Sequence, residues 1–598
     1  MIEKMKKYTF VLYHLEYPDF LSKLQELGMV HIIRSTDEKS PALIQNRELL
    51  DEYSQALKFL QKIEDKDAKQ ITSLPTKALL NQIKNAREEK DNLLRKQEAL
   101  RKQIKDIEPW GHFEYELVRN LRNNGVGVQF YHCLKNHFNP DWKKDYVIRE
   151  IAERSGILYF VLLHQGEAPA LEADRFSFHH STLFELEKEL DELGNRIQAI
   201  EDYFNGIVNV ASEVFQKEIQ RLTGEYAYED ASLQGIKEAD NHLKVIGGWI
   251  PVSKEAKLIE FIKEQQLIHF SEDAKAEDDP PISLKNNWFN RLFEPITKMY
   301  MLPKYNDFDL TPFMAPFFML FFGFCNADIA YGIVLILLTI VLRAKIKDPA
   351  TKAMMTLVMF FGISSIIMGW VMGSMLGYDL KAIPSLGEKI LVQNNDQIFN
   401  LALLLGVIQI LFGISIATIK KIRQSGPMHG LSEFGTFLFI SAISVLGAQQ
   451  LGTDISAVQP YLKYPIWVGL ALIMLFNQPG RNPLINIASG LWLLYNIVTG
   501  FFGDILSYIR LFALGVSSAI LGFVVNSIGA QMSGIPIIGP VIFIIFMLFG
   551  HSLNLALGAL SGFVHPLRLT FVEFFKNAAF EGPGMEYKPF SKHSKVKE

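Results

Sequence analysis

Two arginines stand in stretches that carry almost no other charge. Arg510 lies inside an apolar run from about Leu484 to Ile528. An arginine at a bilayer centre costs roughly 2.5–3.5 kcal/mol on insertion scales, and it cannot escape by losing its proton. At helical spacing Gly503, Ser507, Arg510 and Ser517 share one face, so the cation sits on a small, polar stripe and not against lipid. A second apolar stretch, Pro540 to Lys576, sets Asn554, Gly558, Ser561, His565 and Arg568 at steps of four, three, four and three, again one stripe on one helix. Fixed positive charge beside hydroxyls, an amide and an imidazole, within a membrane, is the chemistry of an ion path. Snorkelling of both arginines to headgroups is the alternative, and it weighs more on Arg568, which lies nearer a helix end.

The neighbouring acids and the histidine read less sharply. Asp504 precedes Arg510 by six residues, about 120° round the helix, so it does not share the arginine's face. It suits an aqueous entry and a structural hydrogen bond equally. Glu573 follows Arg568 by five residues and suits a half-channel or a salt bridge. His565 suits a proton relay, although a lone histidine is more often a hydrogen-bonded packing residue. Asp328 suits the cap of a helix start as well as proton transfer.

No constellation for bond-making chemistry accompanies them. Gly247-Gly248-Trp249 lacks the spacing of a phosphate loop. His179-His180 has no third metal ligand nearby. The mixed Lys and Glu of the first half form a solvated face, not a nucleic-acid patch. The chain is therefore expected to hold no catalytic residue, no cofactor and no metal, and to bind no nucleic acid.

The elements that must position the arginines are membrane helices. Of 598 residues 49% are hydrophobic, yet 21% are charged, and the mean hydropathy of +0.13 averages two unlike halves. Residues 1–295 are rich in Lys and Glu; residues from about 312 onward are dominated by Phe, Leu, Ile, Gly and Ala. Seven apolar blocks are visible, roughly 312–342, 353–376, 397–419, 430–449, 464–477, 484–530 and 539–576. If each crosses once from a cytoplasmic first half, then Arg343, Lys345, Lys347, Lys352, Lys420, Lys421, Arg423 and the tail lysines Lys588, Lys592, Lys595 and Lys597 all fall outside. That inverts the positive-inside rule at every loop. One change repairs all of them. The first block, about 46 Å as a straight helix, becomes a hairpin of two short spans turning near Asn326-Ala327-Asp328. The result is eight transmembrane helices in residues 296–598, with both termini cytoplasmic. Block 484–530 is left open as one steeply tilted helix or one broken near Gly500–Gly503.

The first half reads as an α+β domain, residues 1–295. One lobe combines 1–40 with 235–270, and a second spans 110–175. Between them run helical arms, 41–108 and 180–225. Leu93, Gln97, Leu100, Ile104 and Ile107 form one heptad seam. Leu183, Leu186, Leu190, Leu193, Ile197, Ile200, Phe204 and Ile207 form the returning one. Two seams separated by a lobe predict a long antiparallel coiled-coil hairpin. The two cysteines, Cys133 and Cys325, fall far apart in sequence and in different expected compartments, so no disulfide framework is expected, in keeping with a cytoplasm-facing first half.

Several stretches resemble subunit a, also called subunit I, of the rotary V/A-type ATPases, in its bacterial and archaeal form. They are GDILSYIRLFALG, FVHPLRLTFVEFF with FEGPGMEYKPF, YNDFDLTPFMAPFFMLFFGFCNADIAYG, EKMKKYTFVLYHLEYPDFLSKLQELGMVHI and HLKVIGGWIPVSKE. They cover nearly the whole chain in the family's order. The resemblance implies a non-catalytic stator subunit in the cell membrane, with ATP chemistry on other subunits. It implies a rotor ring of small membrane subunits, each carrying one carboxylate, and half-channels for H+ or Na+. As a carboxylate passes, Arg510 lowers its pKa and drives the ion off, with Arg568 as partner. Glu573, His565 and Asp504 are the implied path residues, with Ser507, Ser517, Asn554 and Ser561 along the stripes. The implied partners are the ring, peripheral stalk subunits at the arm lobes, membrane lipid, and indirectly the central stalk and the ATP-hydrolysing head. Ser518 and Gly558 depart from the eukaryotic pattern, which has His and Glu there. A secondary ion-coupled transporter with a coiled-coil regulatory domain is the alternative. It calls for internal membrane repeats, which the sequence does not display.

Overall fold

The computed structural model describes residues 1–63, 75–111, 113, 115–166, 171–177, 183–346, 348–450, 455–480, 482–533 and 538–592. His179-His180, Lys347, Lys595 and Lys597 lie outside the described residues. The chain is mostly helical and divides into two compact units. One holds residues 13–29, 34–244 and 589–598; the other holds residues 1–12, 30–33 and 245–588.

In the unit built on residues 34–244, helix α1 (Tyr17–Leu27) carries Pro18 in its first turn and ends at Gly28 with φ 65°, the left-handed cap that glycine adopts without strain. Helix α2 (Pro41–Gln61) starts on Ser40, whose hydroxyl accepts the Leu43 amide. Helices α3 (Thr76–Ile107) and α4 (Leu183–Leu233) run for 32 and 51 residues. Leu93, Leu100 and Ile107 of α3 pack on Leu183, Leu186, Leu193 and Ile197 of α4. Leu79, Leu80 and Ile83 meet Phe204, Ile207 and Val208. As numbers rise on α3 they fall on α4, so the two helices run antiparallel. Every expected seam residue of α4 is buried or half-buried. Helix α2 lies on the same face of α4 through Leu50, Tyr53 and Leu60. Between α3 and α4 stands a four-stranded antiparallel sheet in the order Val147–Arg154, Ile157–His164, Gly127–Leu134, Asp174–Phe176. Alternate residues supply its two faces: Val128 and Phe130 pack with Trp110, Tyr131 and Cys133 with Phe160 and Leu162.

The other unit contains a sheet on the path His31–Ile32, Leu243–Pro251, Met5–Tyr13, Ile268–Asp273. It also contains the apolar helices. Helix α5 (Thr311–Cys325) and helix α6 (Ile329–Lys345) meet at a bend of 119° over Asn326–Asp328. The first helix ends on Asn326, and Asp328 caps the second, accepting from the amides of Ala330 (2.9 Å) and Tyr331 (3.1 Å). Then follow α7 (Pro349–Met372), α8 (Asn395–Ser425), α9 (Pro427–Gln450), α10 (Gln459–Phe476), α11 (Pro483–Ser533) and α12 (Gly539–Arg568). Among the described residues five helices (α7, α8, α9, α11 and α12 with its continuation to Asn577) are long and apolar enough to cross a membrane alone, and the bent pair α5–α6 is a sixth if counted once. Helix α10, with prolines and a lysine in its first turns, is 18 residues long and falls outside that group. Helix α11 is continuous through Gly500–Gly503. Beyond Arg568 the helix widens into a π turn, Leu569–Phe574, before a last short helix, Phe575–Asn577.

Aromatic packing holds these helices. Phe321, Phe324, Tyr508 and Leu511 are fully buried in one cluster, and Phe293, Phe318 and Phe574 in another. Between membrane helices such contacts act through close van der Waals fit, since lipid is as apolar as the core. Gly406 of α8 makes one approach possible, for a Cβ there would lie 2.5 Å from the Tyr508 ring.

Candidate functional site

Helices α11 and α12 pack against each other and carry both arginines. Gly550 sits under Val525 and Gly529 under Met547, which lets the backbones come close. Arg510 is half-buried and Arg568 is exposed, and both act electrostatically on His565, which lies between them in sequence. Among the described residues neither arginine forms an ion pair or a side-chain hydrogen bond. A permanent cation held in apolar surroundings is a standing electrostatic barrier to other cations.

Polar clusters lie on either side of the arginines along the two helices. The first contains Asp504, 7% exposed, whose carboxylate meets Lys576 Nζ at 3.1 Å and accepts from Asn577 Nδ2 at 2.8 Å. Glu573, 2% exposed, accepts from Ser507 and lies within the fields of Asp504 and Arg568, and its Oε2 finds no partner among the described residues. The π turn sets that orientation. One extra residue in a turn rotates everything after it by about 100° from a regular continuation, and Glu573 points inward while Arg568 points out. Tyr508, one residue past Ser507, donates to Gln409 Oε1 of α8 at 2.6 Å.

The second cluster joins α6, α11, α12 and the loop after α7. Asn554 Nδ2 donates to the Tyr331 hydroxyl (2.9 Å) and to the Ser518 carbonyl (3.1 Å). Tyr331 also bonds His551 Nδ1 (2.8 Å), and His551 Nε2 bonds Asn526 Oδ1 (3.0 Å). Asn526 Nδ2 donates to the Leu376 carbonyl (2.7 Å). Asp328, beyond its capping role, accepts from Ser374 Oγ (3.2 Å) and the Gly377 amide (3.1 Å).

The expected stripes are present with altered exposure. On α11, Gly503 and Ser517 are exposed while Ser507 and Arg510 are half-buried; the Ser507 hydroxyl donates back to the Gly503 carbonyl at 3.2 Å. On α12 the stripe turns from buried Asn554 and Gly558, through half-buried Ser561 and His565, to exposed Arg568. A seven-residue repeat drifts by about 20° per heptad on an ideal helix, so a stripe of two heptads cannot face one way throughout. Asp504 and Glu573 come together with Ser507, and Asn554 belongs to the other cluster. Sequence reasoning missed Lys576, Asn577, Gln409 and Tyr508, whose partners are distant in sequence. It also missed His551, although His551 precedes Asn554 by three residues and extends the same stripe by one step.

Comparison with known proteins follows the same line. Residues 164–379 match the model of the V-type ATPase 116kDa subunit family. The V-type ATP synthase subunit I of Borreliella burgdorferi is 25% identical over 633 aligned positions, covering all of both chains. The A-type ATP synthase subunit I of Methanocaldococcus jannaschii is 27% identical across 73% of this chain and 69% of its own. That of Pyrococcus horikoshii is 29% identical across 73% and 66%. A crystal structure of the cytoplasmic N-terminal domain of subunit I, homolog of subunit a, of V-ATPase overlaps 45% of this chain at 12% identity, with a TM-score of 0.21 too low to argue from.

Proposed function

The chain belongs to the V/A-type ATPase subunit I family, a non-catalytic membrane subunit, and on that premise we propose that it is the stator that passes ions to and from a rotating ring. In this reading helices α5 to α12 make eight crossings with both termini cytoplasmic, and the membrane half begins near residue 296. The antiparallel arm is a coiled-coil strut that meets peripheral stalk subunits at its lobes. Arg510, with Arg568 beside it, faces a ring carboxylate, lowers its pKa and drives H+ or Na+ off into a half-channel. The same charge stops ions from leaking straight through. Asp504, Glu573 and Ser507 line one half-channel, with His565 between the arginines. Ser517, Asn554 and Ser561 belong to the polar stripes beside the path.

One observation carries the reading: two arginines that form no ion pair among the described residues stand between two polar clusters on the same helix pair. A secondary transporter would bind its substrate at the meeting of two repeats, which this arrangement does not resemble. The test is Arg510→Ala in the assembled complex, reconstituted into vesicles with a quenching dye. Transport is expected to vanish while pull-down of the partner subunits persists, because removing a buried charge eases insertion. Arg510→Lys is expected to be severely impaired, because a desolvated lysine can neutralise. Wild-type pumping by a fully assembled Arg510→Ala complex would overturn the proposal.

A further inference from the structure

The cluster built on Tyr331, His551 and Asn526 has a determined hydrogen-bond order. Asn526 spends its amide N–H on the Leu376 carbonyl at 2.7 Å, which aims its Oδ1 at His551. An amide oxygen only accepts, so Nε2 of His551 carries a hydrogen and donates. On the other side Asn554 donates to the Tyr331 oxygen at 2.9 Å, and the Tyr331 hydroxyl meets His551 Nδ1 at 2.8 Å, a contact in which it donates to a neutral ring or accepts from a protonated one. Nε2 of His551 thereby donates to Asn526 in both charge states of the ring, and Nδ1, facing a hydroxyl, is the nitrogen at which a proton can be gained or lost. Tyr331, Asn526 and Asn554 are all buried, while His551 is half-buried.

The charged and titratable groups facing this imidazole are few. From α6 come Tyr331 by contact and Asp328 by its field. The α11 partner, Asn526, carries no charge. Asp328 is saturated: four donors, the amides of Ala330, Tyr331 and Gly377 and the Ser374 hydroxyl, occupy its two oxygens. No carboxylate oxygen is left over there for a metal cation, which seeks hard oxygen ligands. An imidazole whose two nitrogens are both engaged in hydrogen bonds, one as donor and one as acceptor, suits a proton and not Na+.

Resting on the stator reading above, we infer that His551 is the proton-accepting group of the half-channel on the side of the Leu376–Gly377 loop, and that the ion moved through it is H+. The step is a proton transfer with no bond to carbon. A proton arrives at Nδ1 of His551, the ring becomes a cation donating from both nitrogens, and the Tyr331 hydroxyl rotates so that its oxygen accepts from Nδ1. Loss of the proton to water resets the tautomer that Asn526 dictates. Tyr331 and Asn526 are positioning residues in this scheme.

The experiment uses the whole complex in vesicles, with wild type, Arg510→Ala, His551→Gln, His551→Ala and Tyr331→Phe measured side by side. ATP-driven acidification is followed by a pH-sensitive dye across external pH, and Na+ uptake by radioactive sodium. Wild type is expected to acidify without sodium uptake. His551→Gln, which keeps hydrogen-bonding groups, is expected to assemble normally yet lose at least tenfold in acidification rate and flatten the pH profile. Tyr331→Phe is expected to shift the profile while keeping part of the rate. An unchanged profile in assembled His551→Gln, or sodium uptake by wild type, would overturn the inference. A pumping Arg510→Ala complex would instead overturn the stator reading beneath it. His551→Ala that fails to assemble beside a normal, unaltered His551→Gln would mark the histidine as packing alone and likewise overturn the inference.

Discussion

Asp504 of α11 and Lys576, eight residues beyond Arg568, form an ion pair of 3.1 Å whose acid is buried and whose base is half in the open. With the lysine 56% exposed the pair adds little stability, at most about 1 kcal/mol. Its effect is positional, because it ties the short helix Phe575–Asn577 to α11 beside Glu573, whose Oε2 has no partner among the described residues. Asp504→Asn and Lys576→Gln are each expected to slow ion transport several-fold without loss of assembly. The exchange Asp504→Lys with Lys576→Asp is expected to recover part of it. Transport rates of the three complexes, in low and high salt, check this; equal rates throughout would remove the pair from the path.

Two glycines make opposite predictions. Gly406→Ala drives a methyl into the Tyr508 ring and is expected to cost about 1–3 kcal/mol, seen as a lower melting temperature of the purified complex. Gly503→Ala meets no atom within 4 Å. It is expected to leave stability unchanged or higher by up to about 1 kcal/mol. If the exposed stripe faces the ring, Gly503→Leu then slows transport without lowering the melting temperature.

The arm offers a separate test. Leu193→Asp with Ile197→Asp buries two charges between α3 and α4, costing more than the roughly 2–5 kcal/mol of a buried leucine truncation. The membrane half is expected to insert while ATP hydrolysis no longer drives transport. Normal coupling in the double variant would deny the arm its role as a strut.

Topology can be read by labelling. Cys133 and Cys325 are free and buried, so the background is low. A cysteine at exposed Lys345 is expected to react with a membrane-impermeant reagent only from the cytoplasmic side, and one at exposed Glu388 only from the other. Reaction of Lys345→Cys from outside alone would defeat the hairpin at Asn326–Asp328.

What the sequence made legible follows from range. The α3 and α4 seams depend on local periodicity, and the residues named from it are those that pack. The bend at Asn326–Asp328 followed from length and loop charge, both countable. The polar stripes were legible as spacing, but their exposure was not, because drift over two heptads shows only once a helix has neighbours. Lys576 beside Asp504 and Tyr331 beside His551 are 72 and 220 residues apart, so no local pattern pairs them. The π turn leaves no mark in LTFVEF that a regular helix would lack.

The unbroken course of α11 has a consequence for where ions can go. Its 51 residues extend about 76 Å at 1.5 Å each, against a hydrocarbon slab of about 30 Å. An apolar helix of that length cannot stand upright within the slab, so it tilts and its two ends are displaced from one another in the plane of the bilayer. Arg510 is near its middle. An ion that enters beside one end and leaves beside the other must therefore travel sideways as well as across. No element among the described residues supplies that tangential leg; on the stator reading proposed above, a carrier turning about an axis normal to the membrane would.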